Sequence, residues 1–465
     1  MAAQNRRVFA LRGAYPCSSM LERVFRLKEN KTTAGREVVA GLTTFAAMAY
    51  ILAVNPDILK NAGMPRDALV TATALSAAIS TALMALLTNF PLALAPGMGI
   101  NAFFAFSVCL GMGIPWQSAL GLVFINGCLF LLLSVTGVRK KILAAIPYSM
   151  KVAISAGIGL FIAFIGLENG GLIVANPATL VAMGDISKPE VTLFAGGVLL
   201  TCILVARGVP GAIILSMAVV TATGLFVPDG KGGMVTSLPP AWVSWPASIE
   251  PTFLKLNFDF LFQDHLKALP IILTLLLVDM FDNIGTLIGV TRRAGLMDAD
   301  GHVPRVGQAL VADSAAAIIS SLLGTSTVVS YIESAAGIQA GGRTGLTALT
   351  TAVCFVLALL LTPVILMIPG AAVAPALVVV GLVMFQDVVG LDLRDFELAA
   401  PAILTILMMP LSFSISTGIG LGLITLSVLS VGSGKAGNTT PITHALAAIF
   451  MLHFFEPLIA RWLAG

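Results

Sequence analysis

Charge is scarce in this chain: Asp, Glu, Lys and Arg make up 11% of its 465 residues, against 57% hydrophobic ones. A soluble domain carries about 25% charged residues, so an ordinary water-soluble globule is excluded. Apolar stretches recur along nearly the whole length, each near the roughly 20 residues a helix needs to cross ~30 Å of hydrocarbon. Cysteine is sparse too. The five thiols (Cys17, Cys109, Cys128, Cys202 and Cys354) form no CxxC pair, which argues against a disulfide framework and leaves them as small core residues. The four histidines (His265, His302, His444 and His453) fall outside the middle of the apolar stretches, which argues against haem or a metal centre at membrane depth.

What is present is a series of spans. The apolar pattern predicts an all-α polytopic membrane protein with segments at 37–58, 68–89, 96–111, 115–136, 148–167, 191–206, 210–227, 267–290, 306–323, 326–340, 345–367, 373–390, 397–412 and 415–431. Two of these fourteen, 96–111 and 326–340, are short and broken. Residues 1–36 hold eight Lys or Arg before an apolar stretch, 38–59, too long for a signal peptide, so this tail is expected to be retained in the cytosol. With that orientation only Lys60, Arg66, Lys188, Lys231, Lys255 and Lys267 fall outside, and the other 20 of the 26 basic residues fall inside. Such asymmetry is what membrane insertion imposes, and it supports an even number of spans with both termini cytosolic. The localisation expected is the cytoplasmic (inner) membrane.

The polar, Pro- and Gly-rich stretch 228–264 separates a first repeat, 37–227, from a second, 265–431. Seven spans per half means that the halves are inverted. Landmarks recur at similar offsets: Asn101 and Glu333 sit in the two broken segments, and Ile-Pro pairs stand at 146–147 and 368–369. Inverted repeats with matching broken helices point to a transporter's binding site. The tail 432–465 contains a short amphipathic stretch, 441–463, expected at the interface.

The first broken segment reads Pro91-Leu-Ala-Leu-Ala-Pro96-Gly-Met-Gly-Ile-Asn101-Ala-Phe103-Phe104, in which two prolines and two glycines disfavour a continuous helix. An extended piece at 92–95 is expected before a half-helix. The second, Gly324-Thr-Ser-Thr-Val-Val-Ser330-Tyr-Ile-Glu333-Ser334, opens on strand-favouring residues. Ser330, Glu333 and Ser334 then share a helical face. Irregular backbone survives at membrane depth only where protein or a cavity satisfies it, so the two segments should meet at a polar pocket.

The span 267–290 carries Asp279, Asp282 and Thr286 on one face, with Asn283 adjacent. A carboxylate at the bilayer centre costs about 2.5–3.5 kcal/mol on insertion scales and is a functional candidate by default. Asp279, Asp282 and Glu333 are therefore the proton-coupling candidates; either aspartate could instead pair with a neighbouring helix. Asp313 could support the site or brace a helix. Phe103 could stack on a planar ligand or simply pack. No basic residue is expected in the pocket, which favours a neutral or weakly basic ligand with N–H donors over an anion. No histidine or cysteine joins the acids, so an intramembrane enzyme is not expected; an anion exchanger on the same architecture is the rival.

At these residues the chain resembles the AzgA-like purine permeases of the nucleobase–ascorbate transporter superfamily. The resemblance rests on Phe25-Arg-Leu-Lys-Glu-Asn-Lys-Thr-Thr33, Glu37-Val-Val-Ala-Gly-Leu-Thr-Thr-Phe45 and Met48-Ala-Tyr-Ile-Leu-Ala-Val-Asn-Pro56. It continues through Ala95-Pro-Gly-Met-Gly-Ile-Asn-Ala-Phe-Phe104, Asp279-Met-Phe-Asp-Asn-Ile-Gly-Thr286, Gly324-Thr-Ser-Thr, Glu333-Ser-Ala-Ala-Gly-Ile338 and Gly341-Gly-Arg-Thr-Gly-Leu346. It implies two inverted seven-segment repeats, divided into a core domain (spans 1–4 and 8–11) and a gate domain (5–7 and 12–14), with short strands in segments 3 and 10. Glu333 and an eighth-span aspartate, Asp282 or Asp279, would hold a purine base, with Asn101 contributing. Proton symport would drive uptake without a cofactor. The partners implied are a purine nucleobase, a proton and membrane lipid, with no nucleic acid and a homodimer through the gate.

Overall fold

The computed structural model describes residues 16–136, 146–230, 232–293, 305–434 and 439–464; the basic run at 139–141 lies outside them. The described chain is mostly helical. Among the described residues nine helices are long and apolar enough to cross a membrane, from Ala34–Ala62 to Ile415–Gly432. Shorter apolar helices are Met98–Gly111, Ala212–Gly224, Phe396–Leu411 and Pro441–Phe455. The apolar stretches expected at 68–89, 115–136, 148–167 and 306–323 form the helices Arg66–Thr88, Trp116–Thr136, Tyr148–Asn169 and Val306–Leu323. Their ends carry ordinary stop and start chemistry. Asn89, left-handed at φ 57°, ends Arg66–Thr88, while the Thr344 hydroxyl accepts from the Leu346 amide at the head of Gly345–Ala358.

The first span, Ala34–Ala62, stays right-handed helical through Ala49 and Tyr50, where its hydrogen-bond ladder slips between Ala34–Met48 and Ile51–Leu59. The C-terminal stretch forms the helix Pro441–Ala464, which packs on Ile415–Gly432 and buries Leu446, Ala447 and Phe450.

Helix packing falls into two groups, each drawn from both halves of the chain. Arg66–Thr88 packs on Gly345–Ala358 and Val306–Leu323, and Trp116–Thr136 packs on Val306–Leu323. Separately, Tyr148–Asn169 packs on Gly370–Phe385 and Phe396–Leu411. That last group is held by backbone approach: a Cβ on Gly159 would meet Gly381 O at 2.7 Å, and one on Gly381 would meet Gly159 O at 2.4 Å. Small residues at such crossings let membrane helices reach van der Waals contact where no hydrophobic force acts between them.

The stretch after Gly224 is tied to the first group rather than left loose. Ser244 N donates to Leu360 O, Leu254 N to Leu322 O and Asn257 N to Gln117 O. Two short hairpin strands, Ile173–Asn176 and Leu180–Met183, follow the helix Tyr148–Asn169.

Candidate functional site

Two helices break in the middle of the first group, and their extended pieces pair. Leu94–Pro96 and Val328–Ser330 lie antiparallel, with Leu94 opposite Ser330, Ala95 opposite Val329 and Pro96 opposite Val328. Both strands are completely buried apart from slight exposure at Val329 and Ser330. The ladder continues at each end, through Gly97 N to Thr327 O and Tyr331 N to Ala93 O, both at 3.0 Å. A two-stranded ladder leaves outer edges unpaired, and at this depth water cannot satisfy them. Side chains do so. The Thr81 hydroxyl donates to Leu94 O and accepts from Leu94 N, both at 2.9 Å, and Ser334 Oγ accepts from Ala93 N. Tyr331 donates its phenol proton to Pro96 O at 2.6 Å, strapping one strand to the other.

Each strand leads into a half-helix. Leu94–Pro96 leads into Met98–Ala102, which widens to a π-helical turn over Phe103–Gly111. Val328–Ser330 leads into Ser334–Gln339, headed by Glu333. Gly337 lets this second half-helix lie directly on the first span, since a Cβ there would stand 2.0 Å from Thr44 Oγ1 and 2.6 Å from Ala40 O. The close approach sets where Glu333 stands. Glu333 is half-buried, and its carboxylate accepts a hydrogen bond at 2.5 Å from the Tyr50 phenol of the first span.

The other expected residues are distributed around this crossing. Asn101 is fully buried and accepts from Ser326 Oγ, while its Nδ2 has no hydrogen-bond partner among the described residues. Ser330 is buried, and its amide donates to Asn283 Oδ1 at 2.8 Å. Asp279 sits on the same helix, His265–Arg293, but its Oδ2 accepts from Asn126 Nδ2 of Trp116–Thr136 at 2.7 Å. Asp279 and Asn126 are both wholly buried, so this carboxylate is engaged inside the helix packing. Asp282 belongs to that helix too; its side chain lies outside the described residues. Thr286 is partly buried, one turn on from Asn283. Asp313 and Ser330 line one shallow crevice with Asn283, rimmed by Met84, Leu287 and Leu310. Phe103 is enclosed in the main core and presents no free face.

Glu333, Asn101 and Ser330 are thus gathered at the strand crossing, whereas Asp279 is directed to Asn126. Sequence reasoning missed Tyr50, Asn126, Ser326 and Thr81. The available signal was polarity inside apolar runs, as in Tyr50 and Asn55 of the first span. Asn55 is fully buried and donates to Thr73 and Thr325 at 2.7 and 2.9 Å, tying three elements behind the site. Among the described residues no group of three or more His, Cys, Asp or Glu could hold a metal ion. The arrangement is a carboxylate, held by a phenol, beside buried amides and hydroxyls.

Comparisons with known proteins agree with a transport role. The chain is 42% identical to the adenine permease AdeP of Escherichia coli (strain K12) over 433 residues, covering 93% of this chain and 95% of that one. It is 42% identical to the guanine/hypoxanthine permease PbuG of Bacillus subtilis (strain 168) over 448 residues, covering 92% and 98%. Its fold resembles the transmembrane domain of the cyanobacterial bicarbonate transporter BicA, with a TM-score of 0.63 at 18% identity over 82% of this chain and 97% of that one. Residues 35–421 match the model Xan_ur_permease, described as Permease family. The chain is therefore a multi-pass membrane protein that belongs to this permease family and is a transporter, not an enzyme.

Proposed function

We propose that this permease imports a purine nucleobase (adenine, guanine or hypoxanthine) across the cytoplasmic membrane by proton symport. The observation that carries the reading is the half-buried Glu333 carboxylate at the head of a half-helix, beside a paired-strand crossing and its buried amides. A carboxylate accepts from ring or exocyclic N–H groups, and it can hold a proton when desolvated. The unspent donor of buried Asn101 supports a second ligand contact, because an unsatisfied buried N–H is costly unless something takes it up. Relatives named for adenine and for guanine/hypoxanthine support the ligand class.

In this reading Glu333 and Asp282 hold the base, and Asp279, braced by Asn126, belongs to the coupling network. Phe103 would meet a ligand only after the first half-helix shifts, since it is enclosed here. The group built on Arg66–Thr88 acts as the core and the group built on Tyr148–Asn169 as the gate, moving past each other in alternating access. Both termini are cytosolic, and the protomer pairs through its gate. One charge moving through 100 mV yields about 2.3 kcal/mol, enough for roughly fifty-fold accumulation. Likeness to a bicarbonate transporter at 18% identity speaks for the fold alone, and an acid at the strand crossing opposes an anion. The test is uptake of labelled hypoxanthine and adenine into proteoliposomes with and without an inward proton gradient. Accumulation that collapses with a protonophore is expected; gradient-independent uptake would end the symport reading.

A further inference from the structure

The contact between Tyr50 and Glu333 joins residues 283 positions apart. The two partners differ in setting. Tyr50 is 1% exposed, whereas Glu333 is half-buried and its neighbour Ile332 is 52% exposed. Glu333 therefore keeps some accessible surface, while the phenol that meets its carboxylate is enclosed. Tyr50 stands on helical backbone: its carbonyl accepts from the amides of Ala53 and Val54 at 3.1 and 3.0 Å as the helix Ile51–Leu59 begins. Glu333, by contrast, heads a helix of six residues and has three side-chain torsions to order.

A phenol has one proton, and here it goes to Glu333 Oε1. A carboxylate held by one oxygen loses most of its rotameric freedom before any ligand arrives. That ordering cost is then absent from the binding step. Of the chain's four tyrosines, two stand at this site with separate duties. Tyr331 straps strand to strand through Pro96 O, and Tyr50 reaches the acid.

We infer that Tyr50 is a positioning residue for the ligand: it pins one Glu333 oxygen so that the other faces the accessible side, set to accept from a ligand N–H. The inference rests on the nucleobase reading and adds a residue to it. Removing the phenol oxygen frees the carboxylate without altering its charge or the ring that fills the space. Affinity then falls, while the translocation rate of loaded protein stays close to its original value.

The experiment measures labelled-purine Kd in detergent, and KM and Vmax in proteoliposomes, for wild type, Tyr50→Phe, Glu333→Asp and the double variant. Tyr50→Phe is expected to raise Kd and KM about tenfold, equal to about 1.4 kcal/mol, with Vmax within twofold. Glu333→Asp withdraws the acid from the phenol by one methylene and should lose comparable affinity. In that background Tyr50→Phe should change Kd less than twofold, because the pair is already parted. A purely structural Tyr50 would lower protein yield with no split between KM and Vmax, and would add its full effect in the double variant. Either result overturns the inference. If Tyr50→Phe does not accumulate, Glu333→Asp alone decides, and unchanged affinity there also overturns it. Failure of the wild type to bind any purine would instead remove the nucleobase reading itself.

Discussion

Residues 94–111 and 328–339 follow the same backbone plan: three extended residues, then re-entry into helix. Their polar residues have opposite surroundings. In the first, Asn101 is wholly enclosed, bonded to Ser326, and followed by the π-helical turn with Phe103 sealed in the core. In the second, Glu333 is half-buried and its partner comes from a third element, the first span. Repetition of a backbone plan therefore did not repeat the chemistry. One interrupted helix supplies a braced wall, and the other presents a titratable group.

Breaking the open side should have the largest effect. Glu333→Gln keeps the shape and removes the charge, so purine uptake should fall at least a hundredfold while the protein remains in the membrane. Wild-type rates in that variant would mean that the two segments have been given the wrong roles. Next in size is the close approach that places the open side. Gly337→Ala puts a methyl 2.0 Å from Thr44 Oγ1, and overpacking of this kind costs about 1–3 kcal/mol. A lowered Tm and reduced uptake together would be seen by thermal unfolding in detergent and transport assay.

The closed side should respond mainly in stability. Thr81→Val removes both hydrogen bonds to Leu94 and strands two buried backbone groups, at about 1–3 kcal/mol, with ligand affinity little changed in the protein that folds. A large affinity loss at unchanged Tm would contradict a bracing role. Smallest is Tyr331→Phe, which deletes the strap to Pro96 O and should cost about 1 kcal/mol by the same measurement. If its effect on KM matched that of Tyr50→Phe, the separation of duties between the two tyrosines would fail.

Much of this was legible beforehand. The membrane class followed from composition, helix positions followed from apolar run length, and both breaks followed from Pro and Gly in one segment and Thr, Val and Ser in the other. Asn101, Ser330 and Glu333 were marked by standing in those breaks. Asp279 was marked by its cost at depth, but that cost is the same whether a carboxylate faces a ligand or a neighbouring helix. Its hydrogen bond from Asn126 to one carboxylate oxygen is seen only in the structure. The slip in the helical ladder at Ala49 and Tyr50 was not visible because neither residue is a helix breaker.

Residue order by itself determined that the chain spans a membrane and where its helices break, because chain length in hydrocarbon and backbone stereochemistry are local constraints. Which acid stands open, which is braced, and that Tyr50 reaches Glu333 across 283 positions were decided only by the tertiary structure. Hydrogen bonds between distant spans depend on helix rotation and depth, which packing of the whole bundle sets.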